Sequence, residues 1–293
     1  MSDHNNVGRY NAMRELQPFF DDVLLIPARE MTTEQGHANI FGTTQYVDYR
    51  LGEAGVPDMA TMLRRSVEAG AIVSINHPTS PTDAACRGCG WTAPDAAAAY
   101  VSAMEAMNAG NLRKQMMGGD AGADIARWEA ELAKGRRFTA LGGSDNHDVE
   151  LGRLGVGFPT TLVYADMLSE RAILDAVKAG HVMIDMSGGL GRGLDLKARS
   201  GGQTGTMGDA FTLAAGQVLA LDLHLTGNKG VSLVGLVDGK PDPALSAEAI
   251  DRDVADLAFT WKGDGGRHWI RFELRKGKER LMMTNPVYVN FGK

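Results

Sequence analysis

Short apolar runs alternate with helix-patterned segments as far as Met186, and then the alternation stops. Strand-like runs at 22–27, 38–41, 71–76, 138–143, 161–164 and 181–186 are apolar and β-branched with little polar alternation, as in strands buried on both faces. Helix-patterned segments at 8–20, 57–69, 120–134 and 166–179 lie between them, the last ending at Gly180. Segment 96–108 reads both ways, its alanines favouring helix and its end able to turn into a strand. Such β–α alternation predicts an α/β domain with a mostly parallel sheet.

The texture changes at the glycine-rich stretch 187–193. A phosphate-cradling loop follows a strand and opens a helix, whereas this one leads into β-patterned sequence and reads as a linker. Strand-like runs follow at 211–213, 218–225, 231–237, 256–261, 268–274 and 287–291, with one short helix-like stretch at 245–251. Leu219–Leu225 alternates Leu, Asp and His with the period of a half-exposed strand. A small antiparallel β-sandwich is expected over residues 194–293, after an α/β domain over residues 1–187.

The chain has 293 residues, 44% of them hydrophobic, enough for a sizeable core. No run of about 18 apolar residues offers a membrane-spanning helix. A formal net charge of −6 argues against nucleic acid as the main partner. The opening residues lack a secretory pattern, which favours the cytoplasm slightly; a periplasmic or secreted place stays open should a segment precede residue 1. Oligomeric state is not legible. Cys86 and Cys89, the only two cysteines, make a C-x-x-C in an irregular, Pro- and Gly-rich loop. They read first as loop residues or a local disulfide, and second as a redox or metal pair.

Four of the seven histidines keep metal-competent company: His4 in Ser-Asp-His-Asn, His37 seven residues after Glu30, His77 in Asn-His-Pro, and His147 in Ser-Asp-Asn-His. Each lies near the end of an apolar run or at the chain start. Asp145 and His147 stand two residues apart after the strand-like run 138–143, a spacing that in extended chain points both side chains one way. Pro78 biases His77 toward extended geometry. Singly these residues read as caps, turns or surface groups. Jointly they read as a metal site of His4, Glu30, His37, His77, Asp145 and His147, supported by Asp3, Asn76 and Asn146. His181, His224 and His268 lack such company and read as structural or surface residues.

With those motifs in hand, the chain resembles the polymerase-and-histidinol-phosphatase (PHP) superfamily of metal-dependent hydrolases, and within it the CehA/McbA-like branch. The resemblance rests on Ser-Asp-His-Asn at 2–5, Ile-Pro-Ala-Arg-Glu at 26–30, Gly-His-Ala-Asn at 36–39, Asn-His-Pro at 76–78, Gly-Gly-Ser-Asp-Asn-His-Asp at 142–148, and the Thr-Asn-Pro-Val-Tyr-Val run near the end. It implies a distorted (β/α)7-type barrel followed by the sandwich, with one to three divalent ions (zinc, manganese or iron) at the strand ends. It implies further that Glu30 bridges two metals, that His37 and His77 complete one site, and that Asp145 serves the other. His4 and His147 then flank the cluster, and Asp3 orients His4. Members usually open with a His-x-His strand ahead of the motif matching Ser2–Asn5, so the expected barrel is N-terminally incomplete. Arg29 stands where the family often has a small residue.

The implied chemistry is hydrolysis of a small-molecule ester by metal-activated water, phosphate esters first and carboxyl ester, carbamate or amide second, with His147 as proton donor to the leaving group. The rival reading is a metal-poor, catalytically weak homologue whose sandwich binds a partner or glycan.

Overall fold

Thr33 and Gly36 face each other across a two-residue turn, and a connection that short joins strands only antiparallel. The hairpin is part of a computed structural model that describes residues 2–84, 86–147, 155–189 and 191–292. Two units divide the chain: Met1–Ala106 with Tyr164–Lys178, and Met107–Val163 with Ala179–Lys293.

In the first unit the strands are β1 (Ser2–His4), β2 (Ala28–Thr33), β3 (Gly36–Phe41), β4 (Ile72–Ile75) and β5 (Ala103–Asn108), adjacent in that order. β1 runs parallel to β2 and β4 parallel to β5, while β2–β3 and β3–β4 are antiparallel. Helices α1 (Tyr10–Leu16) and α2 (Met59–Glu68) come from the same unit. Asp58 caps α2 by accepting the Thr61 amide at 2.7 Å, and the helix buries Met59, Met62 and Leu63.

The second unit carries α3 (Ala109–Met116), α4 (Ala123–Ala133), β6 (Thr139–Gly143), β7 (Thr160–Val163) and β8 (Val182–Asp185); α5 (Glu170–Ala179) falls almost wholly in the first. Then come β9 (Gly193–Ser200), β10 (Gln203–Gly205), β11 (Ala210–Phe211), β12 (Val218–Thr226), β13 (Ser232–Val237), β14 (Lys240–Ala247), β15 (Val254–Lys262), β16 (His268–Lys276), β17 (Glu279–Thr284) and β18 (Val287–Val289). One sheet runs β10-β9-β12-β15 and the other β11-β18-β16-β17-β8-β7, with β13 bonded to both β14 and β16. Leu219, Leu221, Leu223 and Leu225 of β12 are buried in one core with Ile270, Phe272 and Leu274 of β16. That is the period-two pattern of the sequence made into an interior, each leucine contributing about 2 kcal/mol.

The expected α/β barrel is corrected. Among the described residues no sheet closes, and the hairpin at Thr33–Gly36 breaks the parallel β–α repeat a barrel needs. β7 and β8, expected in the barrel, are antiparallel to each other, and β8 pairs with β17. Two local expectations fail with it. Residues 22–27 are not a strand: the Gln17 side chain accepts the Leu25 amide (2.7 Å) and donates to the Val23 carbonyl (2.8 Å), groups a ladder would need. Residues 245–251 are not a helix: Leu245 lies in β14, after Pro241 and Pro243. Ala85, residues 148–154 and Leu190 lie outside the described residues, and with them Asp148 of the 142–148 motif.

Candidate metal centre

Sheet register brings the first ligands together. His4 is paired with Glu30 across β1–β2, and His37 with Thr32 across β2–β3. Paired residues share a face, and Thr32 shares one with Glu30 two positions before it, so His4, Glu30 and His37 all project from the same side. The next strand continues the array: Asn76 donates its amide to the His37 carbonyl at 3.0 Å, which sets His77 beside the cluster. Pro78 does not keep His77 extended. Its φ is +25°, and Glu105 holds the turn by accepting the His77 amide at 2.7 Å.

Glu30 is the hub. Its Oε1 lies 3.1 Å from His37 Nδ1 and 3.4 Å from His77 Nε2, and its Oε2 lies 3.5 Å from His4 Nδ1. Glu30, His37 and His77 are buried, whereas the His4 side chain is 45% exposed, so the cluster has one open edge. His4 Nδ1 also lies 2.6 Å from the Thr32 hydroxyl. Burial alone would raise the Glu30 pKa, but hydrogen bonds from His37, His77 and Asn76 and the charge of His4 hold it well below the ordinary carboxylate range.

The far side of each imidazole decides what the near side can do. His37 Nε2 lies 2.9 Å from the Arg87 carbonyl, and His77 Nδ1 lies 3.2 Å from the Cys89 carbonyl. Each ring thus stands between two acceptors, the Glu30 carboxylate and a loop carbonyl, and a neutral imidazole with its one N–H satisfies only one of them. The other contact, a ring lone pair against an oxygen, repels unless a cation intervenes, either a second proton on the ring or a metal ion. Two ligands about 2.1 Å from a tetrahedral ion stand about 3.4 Å apart, close to the 3.4 and 3.5 Å separations of His77 and His4 from Glu30, while the 3.1 Å between His37 and Glu30 is of hydrogen-bond length. The structure thus groups residues able to hold a divalent ion: His4, Glu30 and His37 in one set, His37, His77 and Cys89 in another.

Asp3 does not orient His4; its carboxylate pairs with Arg9 at 2.6 Å. Asn76 bonds to Glu30 and accepts the Asn39 amide at 3.3 Å. Asp145, Asn146 and His147 belong to the second unit. Asp145 has φ +47°, so the extended spacing expected there is absent, and His147 Nδ1 lies 3.0 Å from the Asp145 carbonyl. The His147 side chain is 67% exposed. Arg29 is fully buried, stacked 5.4 Å from the Tyr46 ring centre, with its Nε and Nη1 lacking hydrogen-bond partners among the described residues.

Sequence reasoning missed Glu105, and it read Cys89 first as a loop residue or half of a local disulfide and second as a redox or metal residue. A lone carboxylate inside the apolar run 103–107 signals Glu105. Cys89 is 2% exposed and disulfide-bonded to Cys86. Gly88 and Gly36 seat the loop that carries it. A Cβ at Gly88 (φ +72°) would collide with the Thr33 carbonyl, and one at Gly36 with the Trp91 ring.

No family model matches the chain, and no curated protein matches it. Among solved structures it is similar to the CARDB domain of a Pyrococcus furiosus protein, crystallised in complex with di-metal ions. The identity is 10% and the TM-score 0.23, over 34% of this chain and 94% of that one. A solution structure of the same domain gives the same identity and TM-score over 97% of its length. Likeness at that score carries no argument about fold or metal. The resemblance to the PHP superfamily and its CehA/McbA-like branch is corrected with the barrel: no family match supports it, and the sheet topology does not have the expected form.

Proposed function

We propose that Glu30, His37 and His77 hold a divalent metal ion, with His4 at its open edge, and that the chain is a metal-dependent hydrolase of small-molecule esters. The observation that carries the reading is that two buried imidazoles, His37 and His77, converge on the buried Glu30 carboxylate while each has a loop carbonyl, of Arg87 or Cys89, on its far side. Imidazole with carboxylate suits zinc first, and manganese or iron after it. When bound, such an ion supplies a nucleophilic water near neutral pH and stabilises charge developing on substrate oxygens. The chain's own residues do the rest. Glu30 and the two buried histidines fix the donor geometry, the loop carbonyls fix the tautomers, and the exposed His4 edge is where substrate enters and a proton can leave.

Phosphate esters are the first substrate class, and carboxyl esters or carbamates the second. The test is hydrolysis of phosphomonoesters, phosphodiesters and aryl esters by the zinc- and manganese-loaded protein. His37→Ala and His77→Ala should each abolish turnover. Turnover that survives both substitutions sinks the assignment.

A further inference from the structure

The imidazoles of His37 and His77 each have a second nitrogen, and both of these face the Cys86–Cys89 loop. His37, His77 and Cys89, all buried, each offer a ligand atom within 4.8 Å of the others. Cys86 is bonded to Cys89 and only two residues separate them in sequence, the spacing of the cysteine pair in Cys2His2 zinc sites. An N–S edge in such a site is about 3.6 Å, so the loop need close by only about an ångström. The loop is already anchored beside both histidines: Trp91 donates its amide to the carbonyl of Pro78, next to His77, at 3.0 Å, and Thr92 donates its amide to Gln35, in the hairpin that bears His37, at 2.9 Å.

We propose that reducing the Cys86–Cys89 disulfide creates a zinc site of Cys86, Cys89, His37 and His77 on the loop side of the imidazoles. A dithiol reductant supplies two electrons and two protons; the S–S bond breaks, two thiols form, and the dithiol becomes a disulfide. Zinc then displaces both thiol protons to solvent. The ring protons move to His37 Nδ1 and His77 Nε2, where Glu30 accepts both, as the carboxylate behind a metal-bound histidine does. The same rings cannot then present lone pairs to Glu30, so thiol zinc and the Glu30-side metal exclude each other. That exclusion rests on the function proposed above; the thiol site itself does not.

Cobalt(II) is the probe, because thiolate ligands give it a charge-transfer band in the near ultraviolet. The band is expected in protein reduced with a phosphine and absent from the oxidised protein. It should be largely lost in reduced Cys86→Ser and Cys89→Ser and retained in reduced Glu30→Gln. Failure of the Glu30-side reading would show as oxidised Glu30→Gln binding metal like wild type, with the thiolate band unaffected. No band in the reduced wild type, or a band that survives both serine substitutions, overturns the proposal. A check independent of variant folding is alkylation of the reduced wild type: zinc should slow it about tenfold or more, and equal rates with and without zinc would likewise overturn the site.

Discussion

Glu273 is fully buried on β16, and three arginines converge on it. Arg271 Nη1 is 2.6 Å from Oε1, Arg275 Nη2 2.5 Å and Arg280 Nε 3.2 Å from Oε2. Burial would raise its pKa, but the charges of Arg271, Arg280 and Arg275 dominate and push it down to about 2, against an ordinary 4.5. A folded pKa below the unfolded one means the stabilisation is complete above about 4.5 and is lost as pH falls toward 2. The gap corresponds to about 3 kcal/mol at neutral pH, the range expected when one partner of a buried ion pair is removed. Glu273→Gln keeps the shape and removes the charge, leaving Arg271 only Glu129, 2.7 Å from its Nη2. Urea unfolding followed by tryptophan fluorescence reports mainly on this unit, which holds Trp128, Trp261 and Trp269 of the four tryptophans. At pH 7 the variant should be about 3 kcal/mol less stable, and the difference should shrink steadily between about pH 5 and pH 2. A variant as stable as wild type at pH 7, or a difference unchanged at pH 3, would refute the reasoning.

Three further substitutions test other parts of the account. Buried Asn285 spans Ala140 and Val182, accepting the Ala140 amide at 2.7 Å and donating to the Ala140 and Val182 carbonyls at 3.0 and 2.8 Å. Asn285→Ala leaves those backbone groups unsatisfied and should cost about 2–4 kcal/mol in the same unfolding assay. Gly88→Ala meets both a positive φ and the Thr33 carbonyl, so it should lift the cysteine loop and speed proteolysis there; unchanged cleavage would count against the close packing. Asp58→Ala removes the α2 cap and should lower stability by about 1 kcal/mol, read as a small drop in thermal midpoint.

Residues 218–226 show what the sequence made legible. Leucine at every second position from 219 to 225, with Ala, Asp and His between, predicts one buried and one open face, and β12 has both. Runs 71–76 and 138–143 likewise became β4 and β6, because short apolar stretches bounded by turn residues have few alternatives. Topology was less legible. Whether β2 and β3 run parallel or antiparallel depends on where each strand ends, and the Gln17 side chain that keeps 22–27 out of the sheet acts across several residues. Of the candidate site, Glu30, His37, His77 and His4 lie close together in the structure, and each ends or borders an apolar run in the sequence. The positive φ of His77 was not foreseeable from spacing, because a turn held by a distant carboxylate overrides the local preference before proline. The closeness of Cys89 to two histidines was not legible for a similar reason: it arises from the loop folding back on the Thr33–Gly36 hairpin.

The most direct test of the central claim is zinc binding by the oxidised protein, with the Cys86–Cys89 disulfide intact, measured by calorimetric titration of wild type, Glu30→Gln, His37→Ala and His77→Ala. The account predicts about one tight equivalent for wild type and an affinity lower by about tenfold or more in each variant. Wild-type protein that takes up no zinc, or variants that bind it as tightly as wild type, would contradict it.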